Sequence, residues 1–133
     1  MSALVADTHT AVWYLLNDAR LSLSAREALD AASAAGNPIF VSAISVVELF
    51  YLAEKGRVPL AALQRLRTAL ADPLSGFVVA DVNLDVADAI AAIPREAVPD
   101  LPDRVIAATA CALRVPLVTR DRQIRAASVE TIW

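Results

Sequence analysis

Residues 3–17 read ALVADTHTAVWYLLN, an apolar run of strand type that stops at the carboxylate of Asp7 and continues as a helical pattern. One acid at a strand end is ordinary, since it caps the helix behind it. It carries more meaning if the rest of the chain brings other acids to the same place. Four further short apolar runs follow: IFVS (39–42), FVVA (77–80), PLVT (116–119) and, at the end, VETI (129–132). Between them lie helical patterns over 10–17, 24–35 closed by Gly36, 45–55 closed by Gly56, 60–71 before Asp72-Pro73, 84–92, 102–113 and 122–127. Strands that alternate with helices predict an α/β fold, a three-layer α/β/α sandwich around a central parallel sheet of four to five short strands. Such strands are expected to be buried on both faces.

With 133 residues, 57% of them apolar and 5% aromatic, the chain has the size and composition of one packed domain rich in tightly packed helices. The longest apolar stretches, PIFVSAISVV and LFYLA, are interrupted by Glu48 and are too short to cross a bilayer. The N-terminal residues lack the basic segment and hydrophobic core of a signal peptide, and Cys111 is the single cysteine, so a reducing cytoplasm is the expected compartment. A net charge of −3 argues against wholesale coating by nucleic acid, although the basic residues are eleven arginines and one lysine. The stretch IPREAVPDLPDR (93–104) is the one proline-rich loop, and such loops position functional groups.

In an open parallel sheet all strands end at one edge and the following helices begin there, so ligands gather outside the carboxyl ends. Asp7 follows strand ALVA and Asp121 follows PLVT, which sends both to that edge. Glu48 lies about six residues beyond IFVS, in the second turn of its helix, where Val46, Val47, Leu49 and Phe50 crowd it. Asp103 opens the helix PDRVIAATACAL, whose far end leads back into PLVT. Taken singly, Asp7 and Asp121 read equally well as helix caps, and Asp100-x-x-Asp103 as a capping-box arrangement. Glu48 has the weakest structural explanation, because an unpaired glutamate among apolar neighbours is costly. Asp81 and Asp85 suit capping alone.

Carboxylates packed together repel, and each is driven toward protonation unless a cation neutralises the group. An oxygen-only donor set selects a hard ion, magnesium with manganese as a substitute. Zinc is disfavoured, since His9 is the only histidine and Cys111, mid-helix among alanines, reads as core. Magnesium held by carboxylates serves phosphate chemistry, which points to phosphodiester hydrolysis with no side-chain nucleophile.

These residues together resemble the PIN-domain ribonucleases, and more narrowly the toxin subunits of VapBC-type toxin–antitoxin pairs. The likeness rests on LVADTHTAVWYLL, VSAISVVELFYLAEKGRV, DLPDRVIAATACAL, PLVTRDRQI and the closing VETIW, and it covers nearly the whole chain, read as a single PIN domain over 1–133. The resemblance implies a metal-dependent endoribonuclease with Asp7, Glu48, Asp103 and Asp121 as the metal-binding and catalytic quartet. It implies supporting hydroxyls at Thr8 and Thr119, phosphate contacts at Arg104 or Arg120, and a substrate or structural role for His9. Ahead of the Pro102-Asp103-Arg104 stretch the chain departs from its relatives, reading Ala97-Val98-Pro99-Asp100, so Asp100 stands beside Asp103 as the alternative third acid. The implied partners are an RNA substrate, a cognate antitoxin and a second copy in a homodimer, with Trp13, Tyr14 and Tyr51 as candidate antitoxin contacts.

Two other readings compete. A PIN nuclease of RNA maturation or surveillance differs from a toxin only in its biological setting. A magnesium-binding receiver or phosphatase domain also gathers acids at a sheet edge, but a receiver wants a lysine near its last strand and the lone Lys55 lies elsewhere. A haloacid-type phosphatase wants Asp-x-Asp where this chain has Asp7-Thr8-His9.

Overall fold

The computed structural model describes residues 3–125, 127 and 129–133. In chain order the elements are β1 (Leu4–Ala6), α1 (Thr8–Leu15), α2 (Leu23–Ala34), β2 (Ile39–Ser42), α3 (Ala43–Glu54) and α4 (Leu60–Ala71). Then follow β3 (Phe77–Ala80), α5 (Leu84–Ala89), α6 (Leu101–Leu113), β4 (Leu117–Val118), α7 (Arg122–Arg125) and β5 (Thr131–Ile132). The five strands form one parallel sheet in the order β3-β2-β1-β4-β5, with Leu4 opposite Ile39, Val5 opposite Leu117 and Leu117 opposite Thr131. From β1 the chain winds outward to β3, then crosses back to β4 on the other side. β1 is therefore the point where the winding reverses, and a ligand crevice belongs at its carboxyl end.

Alternation along each strand sends side chains to opposite faces. Leu4, Ala6, Ile39, Val41 and Val118 join a core with α1, α2, α3 and α4, whereas Val5 and Leu117 join a second core with α5, α6 and α7. This is the expected α/β/α sandwich. Burial on both faces holds for β1 but not for the edge strand β3, where Val78 and Val79 are exposed.

Helix starts follow side-chain caps. Asp7 accepts from the Thr10 amide (2.9 Å) and begins α1 at Thr8, two residues earlier than the apolar pattern indicates. Ser42 accepts from the Ile44 amide (3.2 Å) and begins α3 at Ala43 instead of 45. Helix α3 ends where Gly56 adopts φ +70°, a left-handed conformation that costs glycine little. Helix α5 stops at Ala89 and tightens into a 3₁₀ turn over Ile90–Ala92, and its cap is Asn83, not Asp81 or Asp85. The last two strands are each half the expected length. Of the helix expected over 122–127, Arg122–Arg125 form α7, while residue 126 lies outside the described residues. Cys111, expected in the core, is exposed on α6.

Leu49 of α3 is fully buried against the first core, and its neighbour Val47 is 60% exposed. Leu49→Ala is expected to cost about 2–5 kcal/mol in urea unfolding, whereas Val47→Ala should stay within about 0.5 kcal/mol. Equal losses at the two positions would show that α3 does not pack as described.

Candidate active site

At the carboxyl edge of the sheet a cleft of about 350 Å³ is lined by Asp7, Thr8, His9, Thr10, Trp13, Glu48, Asp100, Asp103, Arg120 and Asp121. Asp7 comes from the end of β1, Glu48 from the second turn of α3, Asp103 from the first turn of α6 and Asp121 from the turn between β4 and α7. Residues up to 114 positions apart in sequence thus share one small space because the strands that carry them are adjacent and parallel.

Hydroxyl and amide groups hold three of the four acids in place. Asp7 accepts from the Thr10 amide through Oδ1 and from the Thr119 hydroxyl through Oδ2. Thr119 in turn accepts from the Asp121 amide (3.0 Å), and Asp121 Oδ1 accepts from the Gln123 amide (2.8 Å). The buried Thr8 hydroxyl donates to Glu48 Oε1 (2.7 Å) and lies 2.9 Å from Ser45 Oγ. Asp7 therefore caps α1 and lines the cleft at once, so the two readings of that residue coexist.

Asp100 and Asp103 divide their roles. Asp100 is exposed and caps α6, accepting from the Asp103 amide (3.1 Å). The half-buried Asp103 carboxyl is pushed up to about 8, first by burial, then by the negative charge of Asp100, by contact with Asp121 and by the charge of Glu48. That is the response of an acid to other acids in a sheltered space without a countercharge. Among the described residues the one ion pair is Asp18 with Arg20, outside this cluster.

Arg104 does not line the cleft. Its Nε donates to the Ile93 carbonyl (2.8 Å) and its NH2 group to the Ile90 carbonyl (3.3 Å), tying the proline-rich loop to α6. With Ile93 and Val98 buried in the second core, that loop sets where Asp100 and Asp103 begin. Arg120, the alternative phosphate contact, does line the cleft, and it is exposed. The apolar neighbours of Glu48 are less enclosing than the sequence implies: Val47 and Phe50 face outward, and Glu48 is half-buried.

Sequence reasoning undervalued three residues. Ser45 completes the Thr8–Glu48 relay, Thr10 contributes an amide to Asp7 and lines the cleft, and Trp13 lines it beside His9. The available signal was the His9-x-x-x-Trp13 spacing, which shares a helix face once α1 starts at Thr8.

The cleft is lined by oxygen donors, carboxylates with hydroxyl neighbours, which is the chemistry a hard divalent ion takes, and Thr10 Oγ1 behind them is buried without a hydrogen-bond partner among the described residues. Among the described residues no three acidic, histidine or cysteine side chains stand close enough together to hold a metal ion as they are. An ion that keeps several of its waters does not require three such ligands.

A model of the PIN domain family matches residues 4–130. The chain belongs to the PIN domain family. It is 33% identical over 130 residues to "Ribonuclease VapC22" of Mycobacterium tuberculosis, covering 94% of this chain and 92% of that protein. A chain of a toxin-antitoxin complex from Klebsiella pneumoniae superposes with a TM-score of 0.67 at 30% identity, covering 99% of this chain and 97% of the other. A chain of VapBC2 from Rickettsia felis, crystallised with a promoter DNA fragment, gives a TM-score of 0.72 at 18% identity over 97% and 96% of the two chains, a likeness of fold. The receiver and phosphatase readings are thereby set aside. Among the described residues no helix is long and apolar enough to cross a membrane.

The raised Asp103 value fixes the sign of a stability effect. The folded chain keeps that proton up to about pH 8, while an unfolded aspartate releases it near pH 4. Between those values the folded form binds more protons, so raising the pH favours unfolding. Thermal melts of the metal-free protein are expected to show a falling midpoint from pH 5 to pH 8, and Asp103→Asn should flatten the fall. A midpoint that rises over that range in the natural chain, and equally in the variant, would contradict the clustering.

Proposed function

We propose that this PIN-domain chain is a divalent-metal-dependent endoribonuclease and the toxin of a VapBC-type toxin–antitoxin pair, acting as a single domain over residues 1–133. The observation that carries the proposal is the meeting of Asp7, Glu48, Asp103 and Asp121 in one cleft, where burial and acidic neighbours make Asp103 hold its proton. The identity to a protein named as a ribonuclease supports the activity, and the likeness to a chain of a toxin–antitoxin complex supports the setting.

Magnesium is the cofactor the oxygen donors suit, with manganese as a substitute. Bound there, a divalent ion supplies an activated water and offsets charge on the phosphate and the departing oxygen. The chain's own residues provide the rest. Thr119 and the Thr10 amide orient Asp7, Thr8 orients Glu48, and the Gln123 amide orients Asp121, so the acids do not need to be ordered when the ion arrives. Asp103 gives up its carboxyl proton as the cleft gains positive charge. The 2′-hydroxyl takes no part, and the products carry a 5′-phosphate and a 3′-hydroxyl.

The proposed partners are an RNA substrate, a cognate antitoxin and a second copy of the chain, in the cytoplasm. Exposed Val47, Phe50 and Tyr51 on α3, next to the cleft through Glu48, provide apolar surface suited to a protein partner.

Outer hydrogen-bond partners at metal sites cost about 10–100-fold in affinity or activity when lost, so losing a ligand should cost on the order of a hundredfold or more. Asp7→Asn and Asp103→Asn are each expected to reduce cleavage of single-stranded RNA in magnesium by that factor while circular dichroism stays unchanged. Cleavage that persists in excess chelator would refute the metal-dependent reading. Expression of the natural chain alone should arrest growth, and the Asp7→Asn chain should not.

A further inference from the structure

The acid cluster explains one wall of the cleft. The other wall is of a different kind. There His9 is exposed and its imidazole stacks on Trp13, with ring centroids 5.6 Å apart and planes inclined by 27°. Trp13 is 5% exposed and is held from several sides: Arg20 lies 5.0 Å from its ring centroid, Arg120 lies 4.7 Å away, and Trp133 packs at 6.1 Å. The two arginines differ in what else they do. Arg20 is committed to Asp18 by hydrogen bonds of 2.8 and 3.0 Å. Arg120 is exposed, and among the described residues it has no ion pair, although it sits between Thr119, which binds Asp7, and Asp121.

A fixed indole beneath an exposed imidazole, with a guanidinium that lies over the same indole and has no ion pair among the described residues, matches what an unpaired nucleotide requires. A base has a π-face for the ring and a phosphate for the fork. We infer that His9, backed by Trp13, is a stacking shelf for an unpaired nucleobase flanking the scissile phosphate, and that Arg120 takes the neighbouring phosphate. The inference rests on the ribonuclease reading above and adds to it how the substrate is held and why it is single-stranded. A base inside a helix already has both faces covered, so the shelf selects loops and ends. Trp13 is too enclosed to meet the base itself and acts as a positioning residue for the other two. The shelf lies beside the acids, not among them, so losing it weakens capture of the strand more than the chemical step.

The test measures binding in calcium, which carboxylate oxygens also hold, by anisotropy of a labelled single-stranded RNA and of the same strand with abasic sites. Cleavage in magnesium is measured in parallel. Base stacking on an aromatic side chain is worth at least about fivefold in affinity per base. His9→Ala is therefore expected to weaken binding of the intact strand by at least about fivefold and to leave the abasic strand nearly unchanged, and His9→Phe should restore binding. Arg120→Ala should weaken both strands and lower the salt dependence by about 0.7 in log–log slope, the loss of one phosphate contact. In cleavage, His9→Ala should raise KM with kcat little altered. Unchanged binding in His9→Ala, or failure of His9→Phe to rescue a folded protein, overturns the shelf even if the natural chain cleaves RNA. Base-dependent binding that follows this pattern without any cleavage in magnesium upholds the shelf and overturns the nuclease reading. Absence of any binding to single-stranded RNA overturns both.

Discussion

Mutual repulsion among carboxylates is the constraint around which the rest of this fold is arranged. Asp7, Glu48, Asp103 and Asp121 line one cleft, and Asp103, first through burial and then through the charge of Asp100 and contact with Asp121, keeps its proton far above the usual carboxylate range. Left to themselves such side chains would turn toward solvent. They are kept inward because each is attached to something that cannot move cheaply: a central strand, a helix with a buried Leu49, or a loop pinned by Arg104 and Val98. The two cores thus hold in place a cluster that is unfavourable by itself, and perturbed groups of this kind gather at functional sites.

Local hydrogen bonds do double work. Asp7, Asp100 and Asp121 each accept from a backbone amide at the start of a following helix, and each also lines the cleft. Capping and function are compatible because a parallel sheet brings helix starts and strand ends to one edge. An acid at such a position stabilises the helix while its carboxylate lines the crevice. The relay from Ser45 through Thr8 to Glu48 does for a helix-interior acid what caps do for the others. Beside this negative charge the cleft also carries the His9 and Trp13 rings and the Arg120 guanidinium.

The order of strands and helices was readable along the chain because the patterns differ: short unbroken apolar runs at Leu4–Ala6 and Ile39–Ser42, and a 3.6-residue period over Leu60–Ala71. So was the placement of acids at the strands' carboxyl edge, since ALVA-Asp7 and PLVT-x-Asp121 put a charge just past an apolar run. Ends of elements were less legible. The first turn of α1 is polar and that of α3 continues the apolar run of β2, so only the cap geometry of Asp7 and Ser42 adds Thr8, His9, Ala43 and Ile44 to helices. Cys111 was misread because its alanine neighbours conceal which face of α6 turns outward, a matter settled by packing against α5 and α7.

What the sequence determined alone was the set of chemical groups and their distribution over strand ends, because hydrophobic period and charge are local properties. What tertiary structure decided was which groups meet. It committed Arg104 to the carbonyls of Ile90 and Ile93 and left Arg120 at the cleft, separated Asp100 as cap from Asp103 as the burdened acid, and laid His9 upon Trp13. These outcomes depend on strand order and on side-chain contacts between residues distant in the chain. Distance and burial, on which charge interactions and stacking depend, do not exist until the sheet has assembled.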